Sequence, residues 1–136
     1  MFLDASVLVA SIAGEPEAAS IKTAALDAAA LVTSPIAVFE TSCRLAKLLG
    51  ITIVQAYEIV IEFLADADVT LAVIDATTNA AAHLCASRYH HLTGHPARLN
   101  MGDCFAYAAA KTSGLKLAYK GNDFVHTDID GVRFGP

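Results

Sequence analysis

Short β-type runs alternate with longer helical segments along this chain, and the alternation restricts the folds it can adopt. The β-type runs occupy residues 1–4, 31–33, 69–74 and 115–119, and the tail has room for one short edge element. Such alternation favours a mainly parallel sheet, because parallel neighbours need crossover connections. The sequence therefore predicts an α/β fold. The chain has 136 residues and no visible linker, so we expect a single domain over residues 1–136.

Capping residues indicate where the helices begin and end. Ser34 before Pro35 is typical of a helix start, because serine accepts hydrogen bonds from exposed amides and proline lacks an amide hydrogen. Gly50 and Gly114 are typical of helix ends. Helices are predicted at about residues 5–13, 15–29, 35–49, 53–65, 76–90 and 102–113, with a loop at 91–101.

The chain is unusually apolar for a soluble protein. Hydrophobic residues make up 55% of it, and the mean hydropathy is +0.50. The excess indicates a self-association or partner surface besides the core, so we expect a homodimer. No run of 18 uncharged apolar residues exists, so no membrane-spanning helix is expected. The first apolar run follows Asp4 rather than a basic segment, which argues against a secretory signal and makes the cytoplasm the expected location.

Four carboxylates lie at the ends of predicted core segments: Asp4, Glu40, Asp103 and Asp123. Asp4 ends the first predicted strand, and Asp123 lies just past the last long one. Glu40 and Asp103 lie near helix starts that abut the same edge of the sheet. Sites in parallel α/β folds form at the carboxyl ends of strands, so the four acids are predicted to share one pocket.

Each acid also has a purely structural interpretation. Asp4 can cap the first helix, Asp103 can interact with a helix dipole, and Asp123 can belong to a turn. Glu40 can pair with Arg44 one helical turn later. The functional hypothesis therefore depends on the set of four and on the topology that unites them.

The chemistry of such a pocket points to phosphate esters. Mg²⁺ and Mn²⁺ prefer oxygen ligands, and a bound ion neutralises phosphate charge and activates water. The chain has no GxSxG, Walker A, GxGxxG or CxxC motif, and Ser6 has no obvious base beside it.

Its three cysteines, Cys43, Cys85 and Cys104, are expected to be buried free thiols. The net charge of −5 is unusual for a nucleic-acid binder, although a bound metal would offset it locally.

Several stretches resemble one family. They are the opening MFLDASVLVA, the segment from Ser34-Pro35 through Glu40 to Arg44, the stretch HPARLNMGDCFAYAAAK, and LAYKGNDFVHTDI near the end. With these motifs the chain resembles PIN-domain ribonucleases, and specifically VapC-type toxins of toxin–antitoxin pairs, over nearly its whole length. The resemblance implies an α/β/α sandwich, an Mg²⁺- or Mn²⁺-dependent endoribonuclease acting on RNA, and inhibition by a cognate antitoxin.

The resemblance also implies roles for individual residues. Asp4 and Asp103 would be the primary metal ligands, Glu40 would complete the site or position water, and Asp123 would be the fourth acid. Ser6 would support the site by hydrogen bonding. Many PIN domains carry a Thr and a further Asp shortly before the position of Asp123, where this chain has Tyr119 and Gly121. Asp123 is therefore the least certain member of the set, and Asp128 is a less favoured substitute.

The resemblance implies in-line attack by a metal-activated water that leaves a 5′-phosphate and a 3′-hydroxyl. Candidate residues for steering the RNA backbone are Arg44, Lys47, Arg98, Lys111 and Lys120, and the apolar region around residues 53–64 is a candidate docking surface for the antitoxin. Two alternatives stay open: a metal nuclease that acts on DNA, and a non-catalytic PIN-like module that binds RNA or a partner. Retention of all four acids argues against the second.

Overall fold

The structure, a computed structural model, describes residues 1–136 as five strands and six α-helices, with two helices between successive members of the first four strands and none between the last two. The strands are β1 (Phe2–Leu3), β2 (Leu31–Thr33), β3 (Val69–Leu71), β4 (Leu117–Lys120) and β5 (Gly131–Phe134). The helices are α1 (Ala5–Ala13), α2 (Ala18–Asp27), α3 (Pro35–Leu49), α4 (Ile53–Asp66), α5 (Ala76–Tyr89) and α6 (Met101–Ser113), and a single 3₁₀ turn covers His91–Thr93.

The strands form one sheet in the order β3-β2-β1-β4-β5, and every pairing is parallel. The predicted α/β fold is confirmed, and β5 is the edge element expected in the tail. Three predicted strands extend past the observed bounds, and one of them, β4, begins at Leu117 rather than at residue 115. Asp4 leaves the first strand to cap α1, and β3 ends at Leu71 because the following residues turn outward, with Val73 83% exposed.

Helices cover both faces of the sheet, because side chains of each strand point alternately to either side. Leu3 and Ala118 face a core cluster formed mainly by α1, α3 and α4, whereas Phe2 and Leu117 face a cluster formed by α5 and α6. These two cores make the three layers of an α/β/α sandwich, as expected.

Most predicted helix ends are confirmed. Ser34 caps α3 with Pro35 in the first turn, Thr52 forms a capping box with Gln55, and Gly50 ends α3. The second helix begins later than predicted. It starts at Ala18, because Gly14 and Glu15 still belong to the end of α1, where the amides of both residues donate to the carbonyl oxygen of Ala10.

No helix taken alone has the length and apolar character needed to cross a membrane. Together, α3 and α4 reach that length and apolar composition, but the chain bends by 118° between them. The three thiols are free, with Cys85 and Cys104 buried and Cys43 only half-buried.

Candidate active site

The chain direction brings the four predicted acids to the carboxyl edge of the sheet. Asp4 directly follows β1, and Asp123 lies three residues after β4. Glu40 lies in the second turn of α3, which starts at the carboxyl end of β2. Asp103 lies in the first turn of α6, which leads back to the amino end of β4. The charges of these acids act on one another, so they occupy one neighbourhood.

Asp4 is held in place by Ser6. Its side chain is the N-cap of α1, and Oδ2 accepts hydrogen bonds from the Ser6 amide at 3.0 Å and from Ser6 Oγ at 2.5 Å. Ser6 Oγ in turn accepts a hydrogen bond from the Lys120 amide at 3.0 Å. Asp4 is 7% exposed, and burial raises its pKa against the opposing effect of the Ser6 hydrogen bonds. Ser6 therefore makes hydrogen bonds to Asp4 of the kind expected from a supporting residue.

Asp103 is fixed by a reciprocal capping box. Asn100 Oδ1 accepts a hydrogen bond from the Asp103 amide, and Asp103 Oδ2 accepts one from the Asn100 amide, both at 2.9 Å. Asp103 is 8% exposed, and burial raises its pKa to about 7. The charges of Asp4, Asp123 and Glu40 add to this increase, while the Asn100 amide opposes it.

Glu40 is half-buried beside the start of α6. A Cβ atom placed on Gly102 would overlap the Glu40 carboxylate, so the two helices approach closely there. Burial and the charge of Asp4 raise the pKa of Glu40, whereas Arg44 lowers it. Glu40 and Arg44 form no ion pair within 4.0 Å, so Arg44 acts on Glu40 through its charge and does not hold the carboxylate by direct contact.

Asp123 is the most exposed of the four acids, yet its charge raises the pKa of both Glu40 and Asp103. Asp128, the less favoured substitute, lies elsewhere. Its carboxylate accepts hydrogen bonds from Tyr107 and Lys111 in the second half of α6, close to the amino end of β4. Asp128 therefore anchors the C-terminal loop to the helical layer and does not belong to the acidic cluster.

The basic residues proposed for RNA steering are in different situations. Lys111 forms an ion pair with Asp128, and Lys120 forms ion pairs with Glu15 and Glu17, so neither lysine is free to bind RNA in this geometry. Arg44 is exposed, forms no ion pair, and lowers the pKa of Asp4 and Glu40. Arg44 is thus free to meet a phosphate beside the cluster, and Lys47 and Arg98 are likewise exposed and form no ion pair.

The donor set fits a hard divalent cation in its chemistry. No three acidic, histidine or cysteine side chains converge within metal-binding reach as they stand, so binding would require rotation of side chains. The capping bonds of Asp4 and Asp103 engage Oδ2 and leave Oδ1 of each carboxylate available. Mutually repelling carboxylates in a partly buried cluster are stabilised by a cation, and oxygen donors suit Mg²⁺ or Mn²⁺.

The sequence profile of the PIN domain matches residues 1–130 of the chain. This chain belongs to the PIN-domain family. It is 41% identical to a VapC ribonuclease of Rhizobium meliloti (strain 1021), over 94% of this chain and 98% of that protein. It is 36% identical to a ribonuclease VapC of Mycolicibacterium smegmatis (strain ATCC 700084 / mc(2)155), over 97% and 99% of the two chains. The PIN-domain family and the resemblance to VapC ribonucleases are thereby confirmed.

A solved structure supports the fold independently. The crystal structure of Mycobacterium tuberculosis VapC20, a toxin described as cleaving the sarcin–ricin loop, superposes with a TM-score of 0.73. The match covers 97% of this chain and 98% of VapC20, at 20% sequence identity. The PIN-like α/β/α architecture is therefore shared.

Sequence reasoning missed three features of the site. Asn100, three residues before Asp103, matches a capping-box spacing and could have been recognised. The role of Gly102 could not have been recognised from the sequence, because its close approach to Glu40 depends on how α3 and α6 pack. The contacts of Lys120 with Glu15 join residues 105 positions apart and leave no local signal.

Proposed function

We propose that this chain is a divalent-metal-dependent endoribonuclease and the toxin of a toxin–antitoxin pair, acting in the cytoplasm. The observation that carries the proposal is that Asp4, Glu40, Asp103 and Asp123 lie at the carboxyl edge of the sheet, near enough for their charges to act on one another. Two of these carboxylates are nearly buried, and their mutual repulsion is unfavourable without a cation. Family membership supports the same conclusion.

Asp4 and Asp103, with Glu40, would hold the ion, and Asp123 would complete the set directly or through water. A bound Mg²⁺ or Mn²⁺ would neutralise phosphate charge and lower the pKa of an attacking water. The protein groups contribute orientation. Ser6 fixes the rotamer of Asp4, and Asn100 fixes that of Asp103. Such outer partners set how well carboxylates are aligned for binding.

Glu40 is suited to positioning the attacking water. Its carboxylate is half-buried between α3 and α6 and makes no ion pair, so it is free to accept a hydrogen bond from a water molecule. Arg44, one turn further along α3, would bind the phosphate of the RNA backbone, because a guanidinium forms charge-assisted hydrogen bonds with phosphate oxygens.

Cleavage of a structured RNA by the purified protein tests this proposal. We expect cleavage with Mg²⁺ or Mn²⁺, none with EDTA, and a loss of roughly 100-fold or more for Asp4→Asn and Asp103→Asn. Asparagine keeps an oxygen that can accept the amide hydrogen bonds now made to Asp4 and Asp103, so both variants should fold. Asp128→Asn is the matched control, because it removes a carboxylate outside the cluster. Undiminished cleavage by Asp4→Asn would exclude the mechanism.

Matched RNA and DNA strands separate a ribonuclease from a deoxyribonuclease that uses the same pocket. A wild-type protein that binds RNA but cleaves neither strand would instead support a non-catalytic module. Calorimetric titration with Mn²⁺ adds an independent readout, because a catalytic site must bind the ion and a pure binding module need not.

The antitoxin is proposed to bind the apolar surface of α3 and α4. Phe39, Val54 and Tyr57 are exposed there and line a groove of about 310 Å³. Exposed apolar patches of this kind mark interaction sites. Co-expression with the product of a small reading frame directly upstream would restore growth if that product is the antitoxin.

A homodimer is the second proposed assembly. Leu71 and Val73 are exposed at the β3 edge of the sheet, where unpaired strand edges and apolar side chains favour association. Light scattering of the purified chain measures its mass directly, and Val73→Asp should shift a dimer towards monomer.

A further inference from the structure

Lys120, the last residue of β4, is linked to the first acid of the site through its main chain. Its amide donates to Ser6 Oγ at 3.0 Å, and Ser6 Oγ donates to Asp4 Oδ2 at 2.5 Å. Lys120 also lies three residues before Asp123. The end of β4 is therefore coupled to two of the four acids.

The side chain of Lys120 makes a separate set of contacts. Nζ lies 2.5 Å from Glu15 Oε2 and 2.9 Å from Glu17 Oε2, in the connection between α1 and α2. The side chains of Lys120, Glu15 and Glu17 are only 23%, 29% and 16% exposed. Glu17 is enclosed further by Gly135, where any Cβ would overlap its carboxylate. The three charges thus form a fixed, half-buried cluster.

These contacts place Lys120 at both ends of α1. The main-chain bond reaches the first turn, beside Asp4, and the ammonium reaches the acids just past the last turn. A nine-residue helix is about 13 Å long, so one residue of β4 holds α1 along its length. Movement of α1 relative to β4 would displace Asp4 from Asp123.

The ammonium group of Lys120 already has two carboxylate partners within the protein. This favours a role in positioning the site over a role in steering RNA. Turning Lys120 towards a substrate phosphate would leave Glu15 and Glu17 half-buried without a counter-charge, which is unfavourable. The acids raise the pKa of Lys120, and Lys120 lowers the pKa of Glu17, as expected for a stable cluster. The side chain of Lys120 is therefore engaged in contacts within the protein and is not available to bind a substrate.

We propose that Lys120 is a positioning residue, which holds α1 against β4 through Glu15 and Glu17 and thereby sets the relative placement of Asp4 and Asp123. This inference rests on the proposed metal-dependent function of the same acids. Lys120 does not touch the substrate. Its effect reaches the reaction through the alignment of the carboxylates.

The test compares Lys120→Met, Lys120→Arg and Glu15→Gln with wild type. Mn²⁺ affinity is measured by electron paramagnetic resonance, and kcat and KM are measured on RNA well below the unfolding temperature of each variant. Lys120→Met should weaken Mn²⁺ binding and lower kcat by roughly tenfold each, with little change in KM. Glu15→Gln should also weaken Mn²⁺ binding and lower kcat. Lys120→Arg keeps the positive charge, so its Mn²⁺ affinity and kcat should stay within about threefold of wild type.

Lys116→Met is the matched control. Lys116 lies just before the same strand, is 61% exposed, and reaches only Asp130 at 4.0 Å, so both readouts should match wild type. A raised KM with unchanged kcat in Lys120→Met would overturn the proposal in favour of RNA steering. Unchanged Mn²⁺ affinity and kcat in Glu15→Gln and Lys120→Met would also overturn it. Failure of the proposed function is distinct, because the wild-type protein would then bind no Mn²⁺.

Discussion

The carboxylate of Glu40 lies directly against Gly102, so a Cβ atom at position 102 would overlap that carboxylate where α3 meets the first turn of α6. Gly102 has no unusual backbone conformation, and its φ angle lies in the ordinary range. Its role is therefore to leave space. The consequence is that Glu40 can sit beside Asp103 only while position 102 has no Cβ.

Gly102→Ala should separate activity from stability. Alanine in a helix normally stabilises by about 0.5–1 kcal/mol relative to glycine. Here the added methyl group displaces only the end of a flexible side chain, so the free energy of unfolding should stay level or rise. The displaced Glu40 carboxylate should lower kcat roughly 10- to 100-fold. Chemical denaturation and RNA cleavage measure the two effects.

A double-mutant cycle provides the control for this prediction. If the loss acts through Glu40, Gly102→Ala should cost little further activity in a Glu40→Gln background, since residues in contact are not additive. Equal losses in both backgrounds would mean that Gly102 matters for another reason, such as direct contact with RNA.

The burial of Asp103 predicts how stability depends on pH in EDTA. Its pKa is about 7 in the folded chain against 3.8 for an ordinary aspartate, so the folded state keeps a proton that the unfolded state has lost. The free energy of unfolding should therefore fall as pH rises from about 4 to about 7, by up to about 4 kcal/mol. Asp103→Asn should make this slope shallower, leaving the part that the raised pKa values of Asp4 and Glu40 contribute, and it should be more stable than wild type at pH 8.

Denaturation of both proteins at pH 4, 6 and 8 checks the slope. Asp27→Asn, at the exposed end of α2, is the control for a general change in net charge. Parallel stability curves for wild type and Asp103→Asn across this range would contradict the prediction.

Features with a local signal could be predicted from the sequence. Ser34 was identified as a cap because the side chain that accepts the hydrogen bond lies within one turn of the amide that donates it. The common location of Asp4 and Asp103 could be predicted as well, because parallel topology alone brings strand ends and helix starts to one edge.

Features that depend on packing could not be predicted. Lys120 was expected to face RNA, because nothing near it in the sequence reveals Glu15, which becomes its partner only when β4 lies beside α1. Similarly, the β-rich run after Val69 continues to Ile74, but the sheet edge ends at Leu71. The β propensity of a segment does not show where the neighbouring strand in the sheet ends.

Asp123→Asn should be the mildest of the four acid substitutions. Asp123 is exposed and acts on Glu40 and Asp103 only through its charge, whereas Asp4 is buried and fixed by Ser6. We expect roughly tenfold lower kcat for Asp123→Asn, with weaker Mn²⁺ binding. Cleavage rates measured over a range of Mn²⁺ concentrations separate the two effects. A loss as large as that of Asp4→Asn would make Asp123 a direct ligand.

Asp128→Asn should lower stability without lowering kcat. Asp128 accepts hydrogen bonds from Tyr89, Tyr107 and Lys111, and Lys111 and Tyr107 hold its pKa well below its usual range. The carboxylate is 45% exposed, so we expect a loss of only about 1 kcal/mol at pH 7. A depressed pKa contributes stability above the unfolded value, so the difference from wild type should shrink below about pH 4. Denaturation at pH 3 and pH 7 measures this change, and an undiminished difference at pH 3 would contradict the role of the ionised carboxylate.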